Sequence, residues 1–311
     1  MKQYDVLVFG DVCVDLILSG GDVVPEFGQK EKLVGDYSLE MGGSTTIFAC
    51  QAAKLGLRTV VVGKAGTDQF GELVCKTLQE AGVSLAYVQR TDQVKTGLTV
   101  AISKGDDRAM LTCIGTIDAM DAADVEETLL DSVRHLHIGS YYLMKKLQPH
   151  YPAYMQRLKR NGATISLDTN WDPAEEWDSG IWDIIPLVDM IFPNENEAMA
   201  LTGESTAEKA VAKLCEHVPL VAVKQGKDGA VLHAGGRVFE VPAIEVAKID
   251  AVGAGDSFDA GFVFGFLSGM DMEMCARAGC ICGSLNTRAS GGTKGQPRLE
   301  EMMKHLGATA Q

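Results

Sequence analysis

The chain has 311 residues, 46% hydrophobic and 23% charged, with 34 Gly and 9 Pro, an ordinary globular balance that excludes a disordered, collagen-like or disulfide-scaffold protein. Forty-two Asp and Glu against 28 Lys and Arg give a net charge of −14, which argues against a broad electrostatic grip on nucleic acid or anionic lipid. Any phosphorylated ligand then has to be held locally, by backbone N–H groups, a helix terminus or a metal.

In chain order, hydrophobic periodicity predicts a strand over Val6–Phe9, a helix over Thr45–Lys54, a strand over Thr59–Val62 and a helix over Phe70–Ala81. The second half repeats the pattern. Strands are predicted at Leu136–Ile138, Thr164–Leu167, Met190–Phe192 and Leu220–Val223, with helices near Tyr151–Arg160, from Glu195, and over Ala207–Glu216. Such alternation predicts an α/β fold, a three-layer α/β/α sandwich around a mostly parallel sheet. Two segments, 12–39 and 96–112, break the rhythm. They read as strands joined by the turns Gly20–Gly21–Asp22 and Gly105–Asp106–Asp107, and are expected to form one small β-sheet able to lie as a lid over the large one. With no low-complexity linker, 1–311 is expected to be a single domain.

The N-terminal apolar run is interrupted by Asp11 and Asp15 and preceded only by Lys2, so no signal peptide is expected. The longest apolar stretch, Ala260–Leu267, is far short of the roughly 20 residues that cross a bilayer. The eight cysteines show neither CxxC nor zinc spacing, which predicts reduced, mostly buried thiols and a cytoplasmic setting.

The most informative stretch is Asp250–Ala251–Val252–Gly253–Ala254–Gly255–Asp256. A helix is expected to start at Gly253 or Ala254, because Ala260, Val263, Phe264 and Leu267 then share an inward face and Gly261, Gly265 and Gly269 are spaced for close packing. Its first turn has no bulk, so its unpaired N–H groups and the positive end of the helix dipole offer a place for an anion. Asp256 beside it could accept the proton of an incoming hydroxyl, an effect of about 10²–10⁴-fold. Its ordinary pKa of about 4 would leave it ionised at neutral pH. A capped, tightly packed helix fits the same spacing. No GxxxxGK[ST] is present, and no GxGxxG follows the first strand.

Here the sequence resembles the ribokinase family, the PfkB-type carbohydrate kinases. Residues 250–256 match that family's D-T-x-G-A-G-D motif, and Gly42–Gly43 with Ala49, Ala52, Leu55 and Gly56 match its N-terminal glycine motif. The resemblance implies an ATP-dependent kinase with Asp256 as catalytic base and the amides of Gly253, Ala254 and Gly255 as the anion hole. It implies that Asn194 and Glu197, in an N-x-x-E pattern, organise Mg²⁺ and phosphates, and that Lys224, Gly226 and Gly229 form the nucleotide loop. Asp250, Val252, Asn286, Ala289 and Gly291 fall where many members bind a monovalent cation such as K⁺. Asp15, Gly42 and Gly43 fall where sugar hydroxyls are bound, and Asp168 and Asn170 in a substrate-contacting D-x-N stretch.

Departures from the family pattern direct the substrate expectation. Ala251 replaces Thr, Ile47 replaces the Asn of the glycine motif, and Cys13 the Asn before the first sugar-binding Asp. Asp172 stands where members acting on sugar acids carry Arg, and an acid there would repel an anion. A small neutral sugar is therefore the expected acceptor. A nucleoside kinase of the same fold, or a silent sugar- or nucleotide-binding regulator, are the alternatives. A homodimer joined through the lid is expected from the need to cover its exposed edges.

Other features read as structure. His135 and His137 share a strand face without an evident third metal ligand. Trp171, Trp177 and Trp182 suit a core edge as well as a stacked ligand. Asp121, Asp124, Glu126 and Glu127 suit a solvated helix start. Arg108 reaches the site only if the lid folds over it.

Overall fold

The computed structural model describes residues 2–21, 23–104 and 107–307, with the backbone alone at 104, 107 and 108. In chain order its elements are β1 (Tyr4–Phe9), β2 (Cys13–Gly21), β3 (Val34–Met41), α1 (Ser44–Lys54), β4 (Thr59–Gly66), α2 (Gln69–Ala81), β5 (Ser84–Thr91), β6 (Gly97–Lys104) and β7 (Asp107–Cys113). There follow α3 (Glu127–Asp131), β8 (Val133–Ile138), α4 (Tyr151–Arg160), β9 (Thr164–Leu167), α5 (Ile181–Ile184), β10 (Met190–Ile191), α6 (Glu195–Thr202) and α7 (Ala207–Cys215). The chain ends with β11 (Leu220–Lys224), β12 (Ala230–Ala234), β13 (Arg237–Val241), α8 (Ala254–Leu267), α9 (Met272–Asn286) and α10 (Leu299–Leu306).

The run Val6–Phe9 is apolar without alternation because β1 is covered on both faces. Val6 and Val8 join one core with Phe48, Val74, Phe262, Ile281 and Met302, supplied by α1, α2, α8, α9 and α10. Leu7 and Phe9 join the other, with Leu129, Tyr151, Ile181, Leu201 and Leu214 from α3 to α7. Two helical layers thus enclose a nine-stranded sheet of order β13-β12-β11-β10-β9-β8-β1-β4-β5. Pairing is parallel from β11 through β5, and β12 and β13 add an antiparallel edge. From β1 the chain builds outward to β5, then restarts at β8 on the other side of β1 and builds the opposite way. The order reverses between β1 and β8, and open α/β sheets place their ligands beyond the carboxyl ends of strands at such a reversal. The ends here are Asp11, just past β1, and Ser140, just past β8.

The two segments that broke the βα rhythm form a separate four-stranded sheet of order β3-β2-β6-β7. Its register sorts the side chains cleanly. Leu16 pairs with Leu39 and Val100, and Val100 with Leu111, so one face is apolar. The opposite face carries Asp15, Glu40, Thr99 and Thr112 in one row, and turns toward the large sheet, where Asp15 lies on Gly42 and Glu40 on Gly291. Asp22, Gly105 and Asp106 of the expected turns, and the Arg108 side chain, lie outside the described residues.

The helix expected at Gly253 or Ala254 starts at Ala254, but not as an amphipathic helix with one inward face. Residues 256–265 are buried all round, because α8 lies between α1 and α9 and sets Phe258 and Phe262 against Phe192, just past β10. Gly261 and Gly265 do pack against α9, where a Cβ would meet the Ala278 carbonyl oxygen at 2.6 Å and Cys275 Cα at 3.0 Å. Gly269 has no such contact and lies beyond the helix end.

The bland readings of several motifs hold. All eight cysteines are free thiols, five of them buried. His135 bonds Thr164 Oγ1 and Ser166 Oγ, and His137 Nδ1 bonds the same Ser166 Oγ, all at 2.8 Å. Burial pushes the pKa of both imidazoles down, that of His137 to about 3, and they serve as neutral core groups. Asp121 and Asp124 form a capping box. Trp177 is buried against Tyr142, while Trp171 is half exposed and meets Trp177 edge-on.

Candidate active site

The α8 tip is built by Gly253, whose φ of 71° is a left-handed conformation that residues with side chains adopt only at a cost. A Cβ there would also come within 2.7 Å of Gly292 Cα and 2.9 Å of Ile47 Cγ2. Ile47, in place of the motif's Asn, is thus a packing residue under the turn. Gly253 offers no side-chain cap. The Ala254 N–H turns back to the Ala251 carbonyl at 3.3 Å, and the helical ladder begins with Ser257 N–H donating to the Gly253 carbonyl. Ala254 therefore does not contribute a free amide as expected. Among the described residues the N–H groups of Gly253, Gly255 and Asp256 have no acceptor, and these three are the donors available to an anion.

Asp256 sits in that first turn, 9% exposed. Ser44, the first residue of α1, donates its hydroxyl to Asp256 Oδ1 at 2.5 Å. Asn170 Nδ2 reaches the same Ser44 Oγ at 3.3 Å, and Asn170 Oδ1 accepts the Ser140 N–H at 2.6 Å. Burial, then the charge of Asp168, pushes the Asp256 pKa up to about 8, with the Ser44 hydrogen bond opposing. The expectation of a carboxylate ionised at neutral pH is corrected here, since desolvation outweighs the Ser44 hydrogen bond and the Lys224 charge. A base poised near neutrality suits proton transfer from a hydroxyl.

Gly43 leads into α1 with φ 84°, and a Cβ on it would be 2.4 Å from the Asp11 carbonyl oxygen. Asp11 is buried and takes hydroxyl bonds from Thr45 and Ser140, both at 2.5 Å. Asp15 lies so close that a Cβ on Gly42 would be 2.2 Å from its Oδ1. Asp15, Gly42, Gly43 and Asn170 thus gather on the side of Asp256 formed by the carboxyl ends of β1, β8 and β9.

On the other side of the tip is a cavity of about 450 Å³ lined by Lys224, Gly226, Gly229, Ala251, Ala254 and Gly255, with apolar walls including Ile244, Val246 and Phe258. Gly229 folds its loop so tightly that a Cβ would be 2.0 Å from the Val241 carbonyl oxygen. At the cavity's inner end Lys224 Nζ donates to Asp168 Oδ2 at 2.7 Å and lies 3.5 Å from Asp259 Oδ1. Asp168, expected among the substrate contacts, has its second oxygen accepting the Asn170 N–H at 3.3 Å, so both oxygens are engaged within the protein. Burial disfavours the Asp168 charge, but Lys224 prevails and holds its pKa below the ordinary value.

Asn194 and Glu197 form a reciprocal capping box on α6, Asn194 Oδ1 accepting the Glu197 N–H at 2.9 Å and Glu197 Oε2 accepting the Asn194 N–H at 2.8 Å. Burial and Asp168 raise the Glu197 pKa to about 6. Among the described residues no cluster of three or more His, Cys, Asp or Glu could hold a metal ion. An ion that keeps its waters and rides on phosphates fits such a setting better than an all-protein cage. Asp250 accepts the Val252 and Gly291 N–H groups at 3.0 Å, and Asn286 Nδ2 donates to the Val252 carbonyl at 2.7 Å. Asn286 Oδ1 is buried without a hydrogen-bond partner.

Asp172 does not face a ligand as expected. Its carboxylate accepts the N–H groups of Ala174, Glu176 and Trp177 at 2.8–3.0 Å and anchors its own loop. Sequence reasoning missed Ser44, Asp259 and the depth of Asp11. Asp259 carried a signal, a carboxylate inside an apolar helical run, and Ser44 carried only its place after Gly43.

The 2-dehydro-3-deoxygluconokinase of Bacillus subtilis (strain 168) is 29% identical over 288 residues, covering 88% of this chain and 89% of that protein. A ribokinase of Lactococcus lactis subsp. lactis (strain IL1403) is 26% identical over 305 residues, covering 97% and 96%. Among solved structures, a putative ribokinase II from E. coli in complex with ATP and Mg²⁺ superposes with a TM-score of 0.85 at 25% identity, covering 98% of this chain and 99% of that one. The model of the pfkB family carbohydrate kinases matches residues 3–299, so nearly the whole chain is accounted for, and the protein belongs to that family.

Proposed function

We propose that the protein transfers the γ-phosphoryl group of ATP to a hydroxyl of a small neutral sugar, with Asp256 as the base. The observation that carries this reading is a buried carboxylate at a bare helix tip, between the cavity at Lys224 and Gly226 and the group formed by Asp15, Ser44 and Asn170. The nucleotide supplies the phosphoryl group. Asp256 orients the acceptor hydroxyl and takes its proton, and the Gly253, Gly255 and Asp256 amides meet the charge that develops. Asn194 and Glu197, each with one oxygen engaged in their capping box, would hold Mg²⁺ through water. The carboxyl groups of Asp11, Asp15 and Asp256 suit hydroxyl groups as hydrogen-bond partners, and none of them offers a cation to an anionic acceptor. This now carries the neutral-sugar reading in place of Asp172.

The small sheet is read as a lid of the single domain, its polar face closing on the acceptor and its apolar face pairing with a second copy. Exposed Tyr37, Leu39 and Leu111 support that pairing. The unpartnered Asn286 Oδ1 supports a K⁺ site between Asp250, Val252, Asn286, Ala289 and Gly291. Activity in K⁺ above that in an equal concentration of a tetraalkylammonium salt is the expected result, and equal rates would remove the site.

The deciding experiment measures ADP released from Mg-ATP against neutral sugars, sugar acids and nucleosides. Preference for a neutral sugar is expected. A sugar acid or nucleoside turned over faster would overturn the substrate class, and ligand binding without ADP would overturn the kinase reading.

A further inference from the structure

Asp259 is fully buried in α8, where neither of its oxygens accepts a hydrogen bond and its carboxyl lies against that of Asp168. Its nearest cation is the Lys224 ammonium at 3.5 Å. A carboxyl in such a place is costly unless it serves a neighbour. That neighbour is unusually placed. Lys224 ends β11 and Asp168 follows β9, and the pair spans the two-residue β10 between them. From there the ammonium reaches over the α8 tip, where a Cβ on Gly255 would come within 3.2 Å of Nζ. The same side chain lines the cavity assigned above to the nucleotide.

We infer that Lys224 is the protein's own cation for the transferring phosphoryl group, and that Asp259 is a positioning residue that, with Asp168, keeps the ammonium on the helix tip. The inference rests on the kinase reading and adds a role to it. An ammonium has three donors. One is spent on Asp168, Asp259 stands beyond ordinary hydrogen-bond range, and the cavity side remains for a phosphate oxygen. Lys224 lies beside the free Gly255 amide, so the two would act on the same oxygens. Asp259 lies three residues after Asp256, on the same side of α8. Burial holds its pKa well above the ordinary value, which favours its protonated form beside one anion and one cation. The trio is then balanced, and Lys224 is steered without being neutralised twice.

The test needs no knowledge of the sugar. Binding of the non-hydrolysable β,γ-imido analogue of ATP, of ADP and of AMP is measured by calorimetry with Mg²⁺ for the wild type, Lys224→Met, Asp259→Asn and Asp259→Ala. Lys224→Met is expected to lose about tenfold or more in affinity for the triphosphate, less for ADP and almost nothing for AMP, as befits one charge-assisted contact at the distal phosphate. Asp259→Ala should lose in the same order, and Asp259→Asn, which keeps the neutral shape, should retain the triphosphate preference. Equal losses for all three nucleotides, or none, would make Lys224 a structural ion pair and sink the inference with the kinase reading intact. An Asp259→Asn protein as impaired as Asp259→Ala would remove the positioning role. Failure of the wild type to bind any nucleotide would overturn both readings. Should Lys224→Met not fold, the two Asp259 variants decide by the same order of losses.

Discussion

Replacing Asp256 by Asn should stabilise the protein while abolishing its turnover, and the gain should grow with pH. The native carboxyl titrates at about 8, and the same group in an unfolded chain near 3.8. Below about pH 4 both forms are protonated, so Asn, of nearly the same shape and still able to accept from Ser44, changes little. Between pH 4 and 8 the unfolded carboxyl has lost its proton and the native one keeps it. The native state binds more protons, and stability falls as pH rises. Three units to pH 7, at about 1.36 kcal/mol each, amount to about 4 kcal/mol as an upper value. Above pH 8 both forms are ionised and the difference levels off. Asn carries no such linkage. For a chain of this size the difference is worth about 5–10 °C in melting temperature at pH 7. Thermal unfolding of both proteins from pH 4.5 to 9, with ADP release measured alongside, tests the reasoning. A melting gap that does not widen between pH 4.5 and 8, or a variant that melts below the wild type at pH 8, would refute it, as would wild-type turnover in the variant.

Ser44→Ala removes a donor to the ionised form of the base, so the rising limb of the pH–rate profile should move up by about one unit, from a charged hydrogen bond of about 1.5 kcal/mol. Ser44→Thr should leave it in place, and an unmoved limb in the alanine variant would separate Ser44 from the base. Gly253→Ala forces a Cβ into a left-handed residue and toward Gly292, and should cost about 2–4 kcal/mol of stability together with the activity. Denaturant unfolding reads the first and ADP release the second. Leu39→Glu with Leu111→Glu places charge on the apolar face of the small sheet and should turn a dimer into a monomer by light scattering. A wild type already monomeric at micromolar concentration would defeat that assignment.

Much of this architecture was legible in the chain. The uninterrupted run Val6–Phe9 announced a strand buried on both faces, and the glycines around 253 announced a helix start. What stayed hidden has physical causes. β12 and β13 form an edge hairpin: β12 alternates in burial, but its sequence Ala-Val-Leu-His-Ala places apolar residues on both faces, and β13 is mostly exposed; α8, enclosed on all sides, shows no amphipathic stripe. Of the site, the acids and glycines were visible because such residues are conspicuous, but their partners were not. Asp168 was read by its motif as facing a substrate, while its actual neighbour lies 56 residues away in the chain. The Asp256 pKa belongs to burial, which only the packed structure supplies.

A chain with net charge −14 that receives a polyphosphate has to reverse its own field at one point, and the layout of charges shows how. The acids around that point are not left as bare charges. Asp11 is satisfied by hydroxyls, Asp168 by Lys224, and Asp256 and Asp259 are pushed by burial toward neutrality. What remains effective is one ammonium and three unpaired amides, in a site dry enough for each to count. The same burial that silences the acids raises Asp256 to a basicity near neutral pH. Anion acceptance and base strength therefore have one cause, and a substitution that admits water at the α8 tip should weaken both together.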